Sequence, residues 1–223
     1  MTADARRTRE ELVECGRLIA KKGLVVGPGG NISARCGGLM YISASGSSFE
    51  EATGDDYVGV DLATGQLVDG SKKPSSEVLM HLACYRKRPE IGAVVHTHPP
   101  LAIAVASCGV TLEPLFPDFA AFLGEVPTLG YVIPTTRELA EAVESVIGGC
   151  DGLLLTNHGA LTVGSNLREA LFRTELIEEA SRILIAARSL GSPRTLSPAE
   201  VEAIRNLGSE KYRKQLLEQA ERG

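Results

Sequence analysis

The sequence predicts one α/β domain. Helix-like and strand-like apolar patterns mix along the whole chain. No internal repeat, low-complexity tract or long linker separates them, so 1–223 reads as a single domain. The 223 residues suffice for a sizeable core, and 43% apolar with 23% charged residues is ordinary globular composition.

The elements follow in order. Leu12, Val13, Cys15, Leu18 and Ile19 mark an amphipathic helix over 6–22, stopped by Gly23. A glycine-rich loop, GPGGN, leads into a short extended piece. Strands are predicted at 39–42 and 57–62, with the turn SASGSS between them. Pro74, Ser75 and Ser76 are start signals for a helix over 75–88. AVVH is a short strand, followed by a proline-opened helix over 99–107. Further strands are predicted at 126–132, 152–156 and 160–163, and helices at 136–147 and 166–190. SPAE at 197–200 starts a final polar helix or tail.

The net charge of −5 and the lack of a basic stripe exclude a nucleic-acid binder. No apolar run approaches the roughly 18 residues of a membrane span. The charged N-terminus does not resemble a signal peptide, so the cytoplasm is the expected location. Five cysteines, at 15, 36, 84, 108 and 150, form no CxxC pair, which argues for reduced thiols.

The chemistry concentrates at GAVVHTHPPLA. Side chains alternate across a strand, so His96 and His98 face one side about 6–7 Å apart, a spacing that suits two imidazoles on one metal ion. The prolines at 99 and 100 place the pair at a strand end, where α/β proteins bind ligands. For the third ligand, His158 in TNHGAL follows a buried strand and has Gly159 beside it for close backbone approach. His81 reads as a packed or surface helical residue, four positions after Glu77. Ser75-Ser76 at a helix start, the loop Gly29-Gly30-Asn31 and the turn Ser45-Gly46-Ser47 are rich in donors and could cradle a phosphate. Glu77, next to those donors, could ligate the metal or shuttle protons.

GNISAR, SASG, PSSE, VVHTHP and TNHGAL, in this order and at these separations, resemble the class II aldolase/adducin-head family, from about residue 8 to 190. The resemblance implies a three-layer α/β/α fold around a mainly antiparallel sheet, assembled as a homotetramer. It implies a divalent metal, zinc first with Mn2+ or Co2+ as alternatives, held by His96, His98 and His158 and touched by Glu77. Glu77 matches the catalytic glutamate. Gly30, Asn31, Ser45, Gly46, Ser75 and Ser76 match the phosphate positions.

The implied reaction is aldol cleavage of a ketose 1-phosphate, L-fuculose 1-phosphate or a deoxy relative, to dihydroxyacetone phosphate and an aldehyde. A family tyrosine that protonates the aldehyde oxygen is missing, and Asp118 stands at or near its place; Tyr212 is the candidate for a second, C-terminal tyrosine. The alternatives are a family decarboxylase of a hydroxylated acid and methylthioribulose-1-phosphate dehydratase. The kept histidines argue against an adducin-type structural module, and Glu77 argues against an epimerase.

Overall fold

A computed structural model describes residues 2–219. Helix α1 (Ala3–Lys21) opens the chain and is capped by the Thr2 side chain, which accepts from the Ala5 N–H. Strands β1 (Asn31–Cys36), β2 (Leu39–Ser43), β3 (Tyr57–Asp61) and β4 (Leu67–Asp69) follow, with one 3-10 turn at Gly54–Asp56. Then come α2 (Val78–Lys87), β5 (Ala93–Thr97), α3 (Pro100–Ser107), α4 (Pro117–Phe122), β6 (Thr128–Leu129) and α5 (Arg137–Ile147). The hairpin β7 (Gly152–Leu155) and β8 (Gly159–Gly164) precedes α6 (Leu167–Leu190), α7 (Pro198–Arg205) and α8 (Gly208–Gln219).

The strands form one eight-stranded sheet in the order β4-β3-β2-β1-β5-β8-β7-β6. Every neighbouring pair is antiparallel except β6 with β7, so the mainly antiparallel expectation holds. Side-chain alternation sorts the core into two faces. Val94, Leu161 and Val163 face α2 and α5, with Met80, Leu82, Leu139 and Ile147. Ala93, Val95 and Ile32 face the other way, toward Leu12 and Ile19 of α1 and Leu167 and Leu171 of α6. A further cluster packs α3 and α4 on α6, through Ala102, Phe119 and Ile177. Helices therefore cover both faces, the three-layer arrangement.

Some boundaries differ from expectation. The strand over 126–132 shrinks to Thr128–Leu129, because β6 lies at a sheet edge and has a single strand neighbour. The short extended piece after GPGGN is a full interior strand, β1. The helix expected from Ser75 begins at Val78, with Glu77 at its N-cap. Asp118 lies in the first turn of α4, where a carboxylate favours the helix dipole.

Candidate metal centre and active site

Two adjacent interior strands and one hairpin loop build the site. His96 is in β5, and His98 follows Thr97, the last residue of that strand. His158 sits in the β7–β8 loop, between the paired Leu155 and Gly159. That loop turns tightly: the His158 N–H donates to the Leu155 carbonyl at 3.0 Å. Asn157 takes a left-handed φ of 55°, which asparagine tolerates better than most side chains. Because β5 pairs with β8, and Thr97 lies opposite Ala160, the loop delivers His158 to the end of β5.

The three imidazoles meet. Their ring centroids are 4.7 to 5.4 Å apart. One ligand nitrogen from each lies within 4.8 Å of the others. The structure brings His96, His98 and His158 together. Glu77 joins them from the start of α2, with Oε2 3.3 Å from His96 Nε2 and Oε1 3.3 Å from His158 Nε2.

The donor set fits a metal ion. His96 Nδ1 is 3.0 Å from the Ala160 carbonyl, which can only accept, so the ring proton is on Nδ1 and Nε2 presents a lone pair. That lone pair faces His98 Nε2 at 3.2 Å and the Glu77 carboxylate. Glu77 Oε1 is buried with no hydrogen-bond partner. Such a gathering of lone pairs suits a divalent cation among them.

Charge states agree. Burial lowers the His98 pKa to about 4, and the adjoining His96 and His158 rings further disfavour a proton there. His158 also falls to about 4, first through burial and then through His96. Both rings are therefore neutral ligands at pH 7. Burial alone would raise the Glu77 pKa, but the Asn31 hydrogen bond and the neighbouring His96 and His158 rings favour the ionised form and hold the carboxyl well below the usual range.

Glycine shapes the centre. A Cβ on Gly159 would collide with the Thr97 carbonyl and come within 3.0 Å of His98 and 3.2 Å of His96. A Cβ on Gly29 would come within 3.0 Å of His98 Nδ1.

Two of the segments expected to hold a phosphate are joined to each other, and Asn31 of the third reaches Glu77. Ser45 N–H donates to the Lys73 carbonyl and Ser75 N–H to the Ser43 carbonyl, while Ala44 bridges Pro74. These bonds stitch the 43–46 turn to the 73–75 segment. They also occupy the Ser45 and Ser75 amides. The Gly46 amide and the hydroxyls of Ser45 and Ser76 have no protein partner among the described residues. Asn31, predicted for phosphate, uses its side chain differently: Nδ2 donates to Glu77 Oε2 at 2.8 Å and Oδ1 faces His81 Nε2 at 2.7 Å.

Asp118 and Tyr212 are placed apart from this cluster. Asp118 pairs with Arg213 at 2.9 Å, and Tyr212 is 61% exposed on α8. Two residues important to the site escaped sequence reasoning. His81 is fully buried behind Asn31. Its separation of four from Glu77 was the available signal, since that spacing puts both on one helix side. Glu178 of α6, also buried, receives the Leu101 and Ala102 N–H groups at 3.2 and 2.9 Å. It caps α3, whose own N-cap, Pro99, offers no side-chain acceptor.

Residues 10–185 match the family described as Class II Aldolase and Adducin N-terminal domain. The 5-deoxy-D-ribulose 1-phosphate aldolase of Bacillus thuringiensis serovar kurstaki is 38% identical over 201 residues, covering 89% of this chain and 93% of that one. The 3-oxo-tetronate 4-phosphate decarboxylase of Haemophilus influenzae is 30% identical over 207 residues, covering 90% of this chain and 97% of that one. Among solved structures, an L-fuculose 1-phosphate aldolase superposes with a TM-score of 0.86 at 31% identity, covering 96% of this chain and 98% of that one. On its sequence match and its fold, this chain belongs to the class II aldolase and adducin N-terminal domain family.

Proposed function

We propose that the protein is a zinc-dependent aldehyde-lyase acting on a ketose 1-phosphate, releasing dihydroxyacetone phosphate and an aldehyde. One observation carries this reading: His96, His98 and His158 converge on the carboxylate of Glu77. The relative named as a 5-deoxy-D-ribulose 1-phosphate aldolase supports a deoxy-ketose 1-phosphate as substrate, with L-fuculose 1-phosphate as the neighbouring choice.

A divalent cation held by the three imidazoles supplies Lewis-acid polarisation of the substrate's oxygens. The chain's own residues do the rest. The Gly46 amide and the Ser45 and Ser76 hydroxyls bind the phosphate, with Gly30 and Ser75 shaping the cradle, and so fix the reacting end. Asn31 holds Glu77 Oε2 and has a second N–H to offer the substrate. Glu77 moves the proton to and from the dihydroxyacetone phosphate carbon, and Oε1, without a hydrogen-bond partner, is the atom that carries it. Asp118 and Tyr212 are assigned to the aldehyde end. Asp118 pairs with Arg213 and Tyr212 is exposed on α8, and in this reading a neighbouring subunit of a homotetramer brings them to the site. The whole chain acts as one domain.

The test incubates zinc-loaded protein with dihydroxyacetone phosphate and a panel of aldehydes, beside ketose phosphates and hydroxy acids, and identifies products by mass. A ketose 1-phosphate adduct is expected. Glu77→Gln should keep the metal and lose proton exchange on dihydroxyacetone phosphate by about 100-fold or more. Unchanged exchange removes Glu77 from the proton transfer. The Haemophilus influenzae relative favours a second reading, decarboxylation of a phosphorylated hydroxy acid; carbon dioxide release without any aldol adduct would establish it instead.

A further inference from the structure

Behind Asn31 and Glu77 runs a file of buried polar groups, Tyr85, Ser33 and His81, to which the proposed reaction gives no role. The Tyr85 hydroxyl is 3.0 Å from Ser33 Oγ, and Ser33 Oγ is 2.7 Å from His81 Nδ1. His81 Nε2 is 2.7 Å from Asn31 Oδ1, and Asn31 Nδ2 is 2.8 Å from Glu77 Oε2. Ser33 and His81 are fully buried, and Tyr85 nearly so. The file alternates between α2 and β1 and ends at Glu77, the N-cap of α2.

The direction of every bond follows from its last member. An ionised carboxylate only accepts, so Asn31 must turn its NH2 toward Glu77 and leave Oδ1 for His81. An amide oxygen only accepts, so His81 must carry a proton on Nε2. His81 is fully buried, and its two ring nitrogens meet only the neutral Asn31 amide and Ser33 hydroxyl, with no carboxylate to balance a charge, so the ring is neutral. Its Nδ1 is therefore an acceptor and takes the Ser33 hydroxyl proton. Ser33 in turn accepts from Tyr85. All donors point one way, toward the carboxylate.

We propose that His81, fixed as the Nε2–H tautomer by Ser33 and Tyr85, is the positioning residue that holds the Asn31 amide and, through it, Glu77 Oε2, leaving Oε1 as the oxygen that exchanges protons with substrate. The inference rests on the reading of Glu77 as the proton carrier. An ordinary packed histidine would also be buried and bonded, but its loss would cost stability alone. A positioning role costs proton-transfer rate while substrate and metal binding persist.

The experiment has two arms, both on the full-length, zinc-loaded protein. In the first, 15N NMR reads the His81 tautomer at pH 7, and crystal structures of the wild type and His81→Leu show the Asn31–Glu77 contact. The Nε2–H form is expected, together with loss of that contact in the variant. An Nδ1–H form, an imidazolium, or an unchanged contact overturns the proposal. This arm needs no turnover, so it decides how His81 holds Asn31 even if the aldolase reading fails.

In the second arm, His81→Leu should keep about one equivalent of zinc and a KM within about threefold of wild type. It should lose about 10- to 100-fold in proton exchange on dihydroxyacetone phosphate, the usual penalty for an outer-shell partner. His81→Gln restores an N–H toward Asn31 and should recover most of that loss. Equal rates in all three proteins, or no rescue by glutamine, overturn it. If the leucine variant does not fold, the wild-type tautomer and the glutamine variant still decide.

Discussion

At the scale of single residues, the site is a set of neutral nitrogens kept neutral by burial. His81, His98 and His158 have folded pKa values of about 3, 4 and 4, below the ordinary histidine value. Between those values and about pH 6.5 the unfolded chain binds more protons than the folded one. Stability is therefore complete above that range and falls as pH falls through it. Each such histidine contributes at most about 1.4 kcal/mol per pH unit to the slope. Denaturant unfolding of metal-free protein at pH 4 to 7 should show this decline, and His81→Gln should flatten it by about one proton. A second prediction concerns His96→Ala. Elemental analysis should fall from about one equivalent of metal to nearly none, with the far-ultraviolet circular dichroism retained. The HxH pair was legible because strand alternation is local and puts both rings on one side. The role of His81 was not, because Asn31 and Ser33 lie some 50 positions away and meet it only in the fold.

At the scale of elements, the close packing of β5 against the β7–β8 loop holds the rings in register. Gly159→Ala must push its new methyl into the Thr97 carbonyl and against two imidazoles. Overpacking of this kind costs about 1–3 kcal/mol. We expect lower stability together with at least tenfold weaker zinc retention in competition with a chelator. Glu178→Ala should leave the first amides of α3 unpaired in a buried place and cost about 1–3 kcal/mol by denaturant unfolding, with Glu178→Gln costing less. The start of α7 was readable from SPAE, where Ser197 accepts from the Glu200 N–H, while the long α6 was readable from its apolar pattern and is capped by Asn166, which accepts from the Glu169 N–H. The strand at 126–132 was overestimated because apolar composition does not reveal that its backbone has one strand neighbour. Strand order was likewise hidden, since β1 pairs with β5 across the whole of β2 to α2.

At the scale of the whole molecule, several large apolar side chains remain at the surface. Val26 is 89% exposed and Leu190 is 91% exposed, with Ile133 and Tyr131 also open. Covering them in a homotetramer is the proposed assembly, and sedimentation equilibrium should give a mass four times that of the chain. Val26→Asp with Ile133→Asp should lower that mass while leaving the secondary structure intact. The C-terminal helices are tied back by arginines: Arg205 donates to the Ala120 carbonyl at 2.9 Å, and Arg213 pairs with Asp118 and lies over the Phe122 ring. Asp118 thus helps dock this segment whatever else it does. No helix among the described residues is long and apolar enough to cross a membrane.

The position of β5 sets when the site can exist during synthesis. Its two histidines emerge from the ribosome on a strand whose neighbour β8 ends only at Gly164, and the third imidazole arrives at position 158. A nascent chain stalled before that point holds two nitrogens on an unpaired edge, too few for tight ion capture. Capture of an ion by the three imidazoles would then be a late step, open only to a chain that already carries the β7–β8 loop.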